Sequence, residues 1–239
     1  MPIKFTKSKQ TFQIRMPNNY TLKGVLRCTS NSSNLLILLH GLESSYNTPL
    51  FKAAETFFTK NHFAVLRFNF YGKPSERPFY VTSLQDTTHD LAIVLEHIQN
   101  KFKNIFIAAH SLGAITAIEF LQNQTNIQAL CLWDPSLPPE QIFANLEDTE
   151  KRLWNKSSLL SWTNYKSLDQ KMRNIKTPTQ IIAAELAGAH YARTTYYEKL
   201  KSLKKYLTIK EADHNFTNSL SQNKLFSETY NWLKKSLHN

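Results

Sequence analysis

Glycine is scarce in this chain, with five in 239 residues, against roughly 17 at an average usage of about 7%. A sequence that uses glycine so sparingly keeps it where backbone geometry requires it. Cysteine is scarcer still. Two residues, Cys28 and Cys131, make no disulfide framework at this length, and both lie in apolar runs, so buried reduced thiols are expected. No run approaches the roughly 18 apolar residues of a membrane span. Residues 1–15 lack the apolar stretch of a signal peptide, and a cytoplasmic protein is expected. No Cys or His spacing matches a zinc pattern. There is neither a Gly-rich phosphate loop nor a dinucleotide fingerprint. The expectation is therefore no metal and no cofactor.

Acidic residues are in deficit. Lys and Arg number 29 against 18 Asp and Glu, a net charge of +11. Such a balance suits nucleic acid, an anionic surface or an acidic partner. The basic residues are mostly scattered, however. The densest groups are Lys199, Lys201, Lys204 and Lys205, then Lys234 and Lys235, and both read as solvated faces of amphipathic helices. A weak contact with an anionic surface is the alternative. Aromatic and basic residues are not interleaved in any recognisable module, so no nucleic-acid partner is expected.

What is present is a core. Hydrophobic residues make up 41% and charged residues 20%, which is not a disordered composition. Short apolar runs alternate with helical patterns. Residues 12–16 and 22–28 flank the polar turn Pro17-Asn18-Asn19 and read as a hairpin. Residues 35–39 are continuously aliphatic, the mark of a strand buried on both faces. Further strands are expected over 64–70, 105–109, 129–133, 180–184 and 207–211. Helical spacing covers 50–61, 84–102, 111–121, 191–203 and 220–237. A hairpin followed by repeated strand–helix units implies an α/β fold: a mostly parallel eight-stranded sheet with helices on both faces, in one domain over 1–239. Residues 136–177 carry no strand pattern and read as a small cap insertion. Trp154, Trp162 and Tyr165 within it form either an apolar lid surface or the insertion's own core.

Ligands of open α/β sheets bind beyond the carboxyl ends of the strands. The strongest signal there is Ala109-His110-Ser111-Leu112-Gly113, between a buried strand and a helix. A serine on such a tight turn has its hydroxyl forced out at the top of the sheet. Three of the five glycines, Gly41, Gly72 and Gly113, fall just past strand ends. The pentapeptide is a G-x-S-x-G nucleophile elbow with Ala109 in the first glycine's place, and here the sequence resembles the α/β-hydrolase family over nearly its whole length.

The resemblance implies a serine hydrolase with Ser111 as nucleophile. His40-Gly41 resembles the family's His-Gly motif, which implies oxyanion donors at the N–H groups of Leu42 and Leu112, worth on the order of 3 kcal/mol each. His40 itself is expected to orient the loop. A serine hydroxyl needs a base. His214, in Asp213-His214-Asn215-Phe216 after the last strand, stands where the family has its catalytic histidine, and His190 is a weaker competitor. The acid departs from the usual pattern. Where many relatives carry Gly-x-x-Asp, this chain has Ala187 in the aspartate's place. Asp134, at the end of the sixth strand, resembles a shifted arrangement. Glu185 is the alternative acid, and a dyad or Asp213 the remaining option. Phe68-Asn69-Phe70-Tyr71-Gly72 resembles a family segment with arginine at the tyrosine's place, and no chemistry is assigned to it.

The implied substrate is a small acyl ester or thioester, cleaved through an acyl-enzyme. An amide or peptide bond on the same fold is the alternative. A non-catalytic binding protein on a degenerate hydrolase fold is the rival of another class, supported by the missing aspartate at 187.

Overall fold

The computed structural model describes residues 9–237, apart from 17–18, 30–31, 43, 73–75, 125, 145–146 and 166. Pro17 and Asn18 of the expected turn, and the ends of the chain, lie outside the described residues. The chain opens with β1 (Gln10–Arg15) and β2 (Thr21–Arg27), an antiparallel hairpin pairing Gln10 with Leu26 and Arg15 with Thr21. Then come β3 (Asn34–Leu39), α1 (Pro49–Lys60), β4 (Ala64–Phe68), α2 (Leu84–Ile98), β5 (Asn104–His110), α3 (Gly113–Phe120) and β6 (Ala129–Trp133). Four short helices follow: α4 (Pro139–Ala144), α5 (Asp148–Lys151), α6 (Lys156–Thr163) and α7 (Leu168–Asn174). The chain continues through β7 (Thr179–Ala184), α8 (Ala189–Tyr191), β8 (Lys204–Ile209) and α9 (Ser219–Lys235).

All eight strands join one sheet in the order β1-β2-β4-β3-β5-β6-β7-β8, parallel from β4 to β8. The period of two in the aliphatic strands sends alternate side chains to opposite faces. Leu35, Ile37, Ile105 and Ile107 pack with Leu91, Val94, Ile115 and Ile118 of α2 and α3. Leu36, Leu38, Phe106 and Trp133 pack with Phe51, Phe58, Leu225 and Trp232 of α1 and α9. Both faces are therefore covered, which is why the central strands carry no polar alternation.

Three elements differ most from those read in the sequence. The helix after β5 begins at Gly113, because Ser111 holds a left-handed φ of 54° that no helix accommodates. The helix expected over 191–203 is instead α8, a π-helical turn over Ala192–Tyr197 and a tight turn. The last strand starts early, at Lys204, so Lys204 and Lys205 lie on a strand rather than a helix face. The physical reason is their position at the sheet edge, where lysine stems cover apolar surface and blunt unwanted pairing. The Lys204 ammonium donates to the Tyr197 and Leu200 carbonyls at 3.0 and 2.9 Å, and Lys205 pairs with Glu228 at 2.8 Å. Lys199 pairs with Asp169 at 2.7 Å, so this basic group is partly neutralised. Of the two thiols, Cys131 is buried but Cys28 only half-buried.

Among the described residues of 136–177 there is no strand. Trp154, Trp162 and Tyr165 are buried, so they form the core of this segment and not a lid surface. Phe143 lies 5.1 Å from Trp154 and 5.9 Å from Trp162, and the Trp162 indole donates to the Thr82 carbonyl at 2.9 Å. The helices are thereby fastened to the segment between β4 and α2.

Candidate active site

Ser111 leaves β5 at the carboxyl edge of the sheet. Its N–H donates to the Trp133 carbonyl at 3.1 Å, which ties the turn to the end of β6. A left-handed φ on a residue with a Cβ costs about 1–3 kcal/mol and persists only where the surroundings impose it. Two glycines make that possible. A Cβ on Gly113 would stand 2.6 Å from the Leu39 carbonyl oxygen, and one on Gly41 would stand 2.6 Å from Ser111 Cβ. Neither distance is tolerable, so the end of β3 and the turn can approach only through glycine.

Three side chains from three strand ends meet here. His214 Nε2 lies 2.9 Å from Ser111 Oγ, and His214 Nδ1 lies 2.6 Å from Asp134 Oδ2. Asp134 is 1% exposed. Its N–H donates to the Ile182 carbonyl at 2.7 Å, and its Oδ1 accepts the Ala184 N–H at 2.9 Å. β7 thus holds one carboxylate oxygen and leaves the other for the histidine. The tautomer that fits carries its proton on Nδ1, toward the carboxylate, and keeps the Nε2 lone pair for the serine hydroxyl.

The other carboxylates are occupied elsewhere. Glu185 is exposed, and its Oε2 accepts the Glu211 N–H at 2.9 Å. Asp213 braces its own loop, accepting the Thr217 N–H at 2.9 Å, and the Thr217 hydroxyl and backbone bonds hold its pKa below the usual carboxylate range. His190 is exposed on α8. Ala187 offers no carboxylate and lines the cavity beside Ser111. Phe216 is fully buried and anchors the loop that carries His214.

Two buried histidines complete the surroundings. His110 Nε2 meets the His214 carbonyl at 2.8 Å, and His40 Nε2 accepts the Phe70 N–H at 3.1 Å. Burial pushes both pKa values down to about 4, so both rings are neutral at neutral pH. No signal in the sequence separates His110 from a packing residue, because its partner lies 104 positions away. No described residue accepts the N–H of Leu42 or of Leu112. Leu112 is buried and Leu42 half-buried; Leu112 follows Ser111 in the chain, and Gly41, which precedes Leu42, packs against Ser111.

A cavity of about 340 Å³ opens at Ser111 and His214, walled by Pro135, Leu137, Ile142 and Tyr191. That is the size of a small-ligand pocket, and its lining combines these apolar side chains with Ser111, Asp134 and His214. A second cleft of about 620 Å³ lies beyond Tyr71, lined by Tyr46, Asn69, Glu76 and Phe79. Arg67 holds one wall of that second cleft, at Tyr46 and Asn47. Fully buried, it donates to Glu55 at 2.5 Å and also to the Tyr46 carbonyl. Among the described residues no group of three or more His, Cys, Asp or Glu side chains is placed to hold a metal ion.

The comparisons with known proteins agree with this architecture. A family model described as serine aminopeptidase, S33, matches residues 30–217. A search of curated protein sequences gives no match. Among solved structures, Est1E from Butyrivibrio proteoclasticus is similar at a TM-score of 0.77 with 15% identity, covering 94% of this chain and 99% of its own. The Pyrococcus furiosus esterase Pf2001 is similar at 0.72 with 20% identity, covering 95% and 91%. Dienelactone hydrolase from Anabaena variabilis is similar at 0.70 with 15% identity, covering 95% and 98%. At these identities the likeness is one of fold.

Proposed function

Since the chain belongs to the serine aminopeptidase S33 family of α/β-hydrolases, we propose that it is a serine hydrolase cleaving small carboxylic esters or thioesters. The observation that carries this reading is the unbroken hydrogen-bonded chain from Ser111 Oγ through His214 to Asp134. Ser111 is the nucleophile, His214 the general base and Asp134 the acid. Leu42 and Leu112 amides are the oxyanion donors.

In the first half-reaction, His214 Nε2 takes the Ser111 proton as Oγ bonds to the substrate carbonyl carbon. The carbonyl π electrons move to oxygen, where the two amides receive the charge. The oxyanion collapses, the bond to the leaving oxygen or sulfur breaks, and the imidazolium returns its proton to the leaving group. Asp134 holds the imidazole in one tautomer and stabilises the imidazolium. Water then repeats the sequence on the acyl-enzyme and releases the acid. The four helices over 136–177 serve as the cap of a single hydrolase domain. Because the cavity at Ser111 is small, about 340 Å³, short acyl groups are the best fit. Two unpaired thiols, Cys28 and Cys131, support a reducing, cytoplasmic setting.

A second reading, an aminopeptidase or amidase, is favoured by the description of the matched family. A panel of p-nitrophenyl esters, acyl thioesters and aminoacyl anilides separates the two. Turnover of short esters or thioesters that disappears in Ser111→Ala is expected. Anilide turnover exceeding ester turnover would transfer the assignment to the amide class.

A further inference from the structure

The carbonyl oxygen of Gly41 receives two donors. His40 Nδ1 lies 2.9 Å from it, and the Tyr71 hydroxyl donates to it at 2.5 Å. The His40 tautomer is set from its other side. Nε2 accepts the N–H of Phe70 at 3.1 Å, so the proton sits on Nδ1, facing Gly41. A carbonyl oxygen has two lone pairs, and both are engaged here. There is no cis peptide bond among the described residues. A trans peptide points its N–H opposite to its C=O. Fixing the Gly41 oxygen therefore fixes the direction of the Leu42 N–H, away from His40 and Tyr71. That N–H has no acceptor among the described residues, and Gly41 is packed directly on Ser111.

We propose that Tyr71 is a positioning residue of the oxyanion site. Its hydroxyl, with His40 Nδ1–H, locks the peptide between Gly41 and Leu42 so that the Leu42 N–H stays unpartnered and presented to the developing oxyanion. The assignment rests on the hydrolase reading above. It gives a role to a residue that stands where the resembling family segment has arginine. The ring of Tyr71 has a separate task. It meets His40 edge-on with centroids 4.9 Å apart and Phe79 at 4.7 Å. Tyr71→Phe keeps that packing and removes only the hydroxyl.

The test is p-nitrophenyl acetate hydrolysis by wild type, Tyr71→Phe and Ser111→Ala, with inhibition by a trifluoromethyl ketone measured alongside. Losing one neutral hydrogen bond on the positioned peptide should lower kcat about tenfold. KM should stay within about twofold, because the donor acts on charge present only in the transition state. Inhibition by the ketone, whose adduct carries the same oxyanion, should weaken by the same factor, and the pH midpoints of kcat should not move. An unchanged kcat in Tyr71→Phe, with turnover lost in Ser111→Ala, overturns the role of Tyr71 and leaves the hydrolase reading intact. A loss that falls on KM with ketone affinity unchanged also overturns it. Turnover that persists in Ser111→Ala, or a wild type with none, overturns both.

Discussion

The rings of His110 and His214 lie 4.7 Å apart, and His110 Nε2 reaches the His214 carbonyl oxygen at 2.8 Å. His110 precedes Ser111, so the turn after β5 itself grips the backbone of His214. Burial first, and then the nearby His214, keep His110 neutral with a pKa of about 4. A neutral His110 donates Nε2–H to that carbonyl. His110→Phe preserves the packing and removes the bond. It should lower kcat by roughly tenfold and slow the acylation burst by the same factor in stopped-flow measurements. An unchanged burst would assign His110 to packing alone.

Asp134 and Glu185 make opposite contributions. Asp134→Asn should lower kcat by about 10⁴-fold, as replacement of a triad acid does where the imidazole tautomer is lost. Circular dichroism should remain unchanged. Glu185→Gln should keep kcat within about twofold, because the Glu185 carboxylate serves only the Glu211 N–H. The reverse outcome would move the acid to Glu185.

Acid should destabilise the fold between pH 6.5 and 4. His40 and His110 have pKa values of about 4 when folded, against an ordinary 6.5. The unfolded chain therefore binds more protons in that interval, and stability present above pH 6.5 is lost toward pH 4. Each histidine accounts for about 3 kcal/mol. Asp90 acts in the opposite sense. Burial, countered in part by Arg77, lifts its carboxyl from 3.8 to about 6, so the folded state gains about 3 kcal/mol as pH falls through 6. Two losses against one gain leave a net fall of about 3 kcal/mol, measurable by urea unfolding at a series of pH values. A flat profile would contradict the neutral buried histidines.

Two ion pairs should differ in strength. Arg67 and Glu55, with side chains 0% and 4% exposed, lie in the interior. Glu55→Ala leaves a buried guanidinium without its counter-charge and should cost about 3–5 kcal/mol. The Lys224–Glu228 pair on α9 has its lysine 55% exposed, and Lys224→Ala should cost less than about 1 kcal/mol. Thermal unfolding of both variants checks the contrast.

The sheet was legible because the aliphatic runs such as 35–39 and 105–109 carry a signal no surface segment shares. Glycine scarcity made Gly41 and Gly113 stand out as sites of close approach, and a Cβ on either would stand 2.6 Å from Ser111 Cβ or the Leu39 carbonyl oxygen respectively. Which carboxylate faces His214 was not decided by local pattern. Whether Asp134 or Glu185 faces His214 depends on how β6 and β7 are aligned, and Ile182 opposite Trp133 is a tertiary fact. The early start of β8 was hidden by its lysines, whose aliphatic stems are half-buried while their charges read as solvent-facing. The bonds of His40, Tyr71 and His110 to backbone carbonyls leave no periodicity in the sequence at all.

The central claim is an activated serine at 111. Purified protein treated with a fluorophosphonate probe and read by intact mass tests it directly. The expected result is a single adduct, absent in Ser111→Ala and sharply slowed in His214→Ala. A folded wild type that acquires no adduct, or an adduct that survives Ser111→Ala, would contradict it.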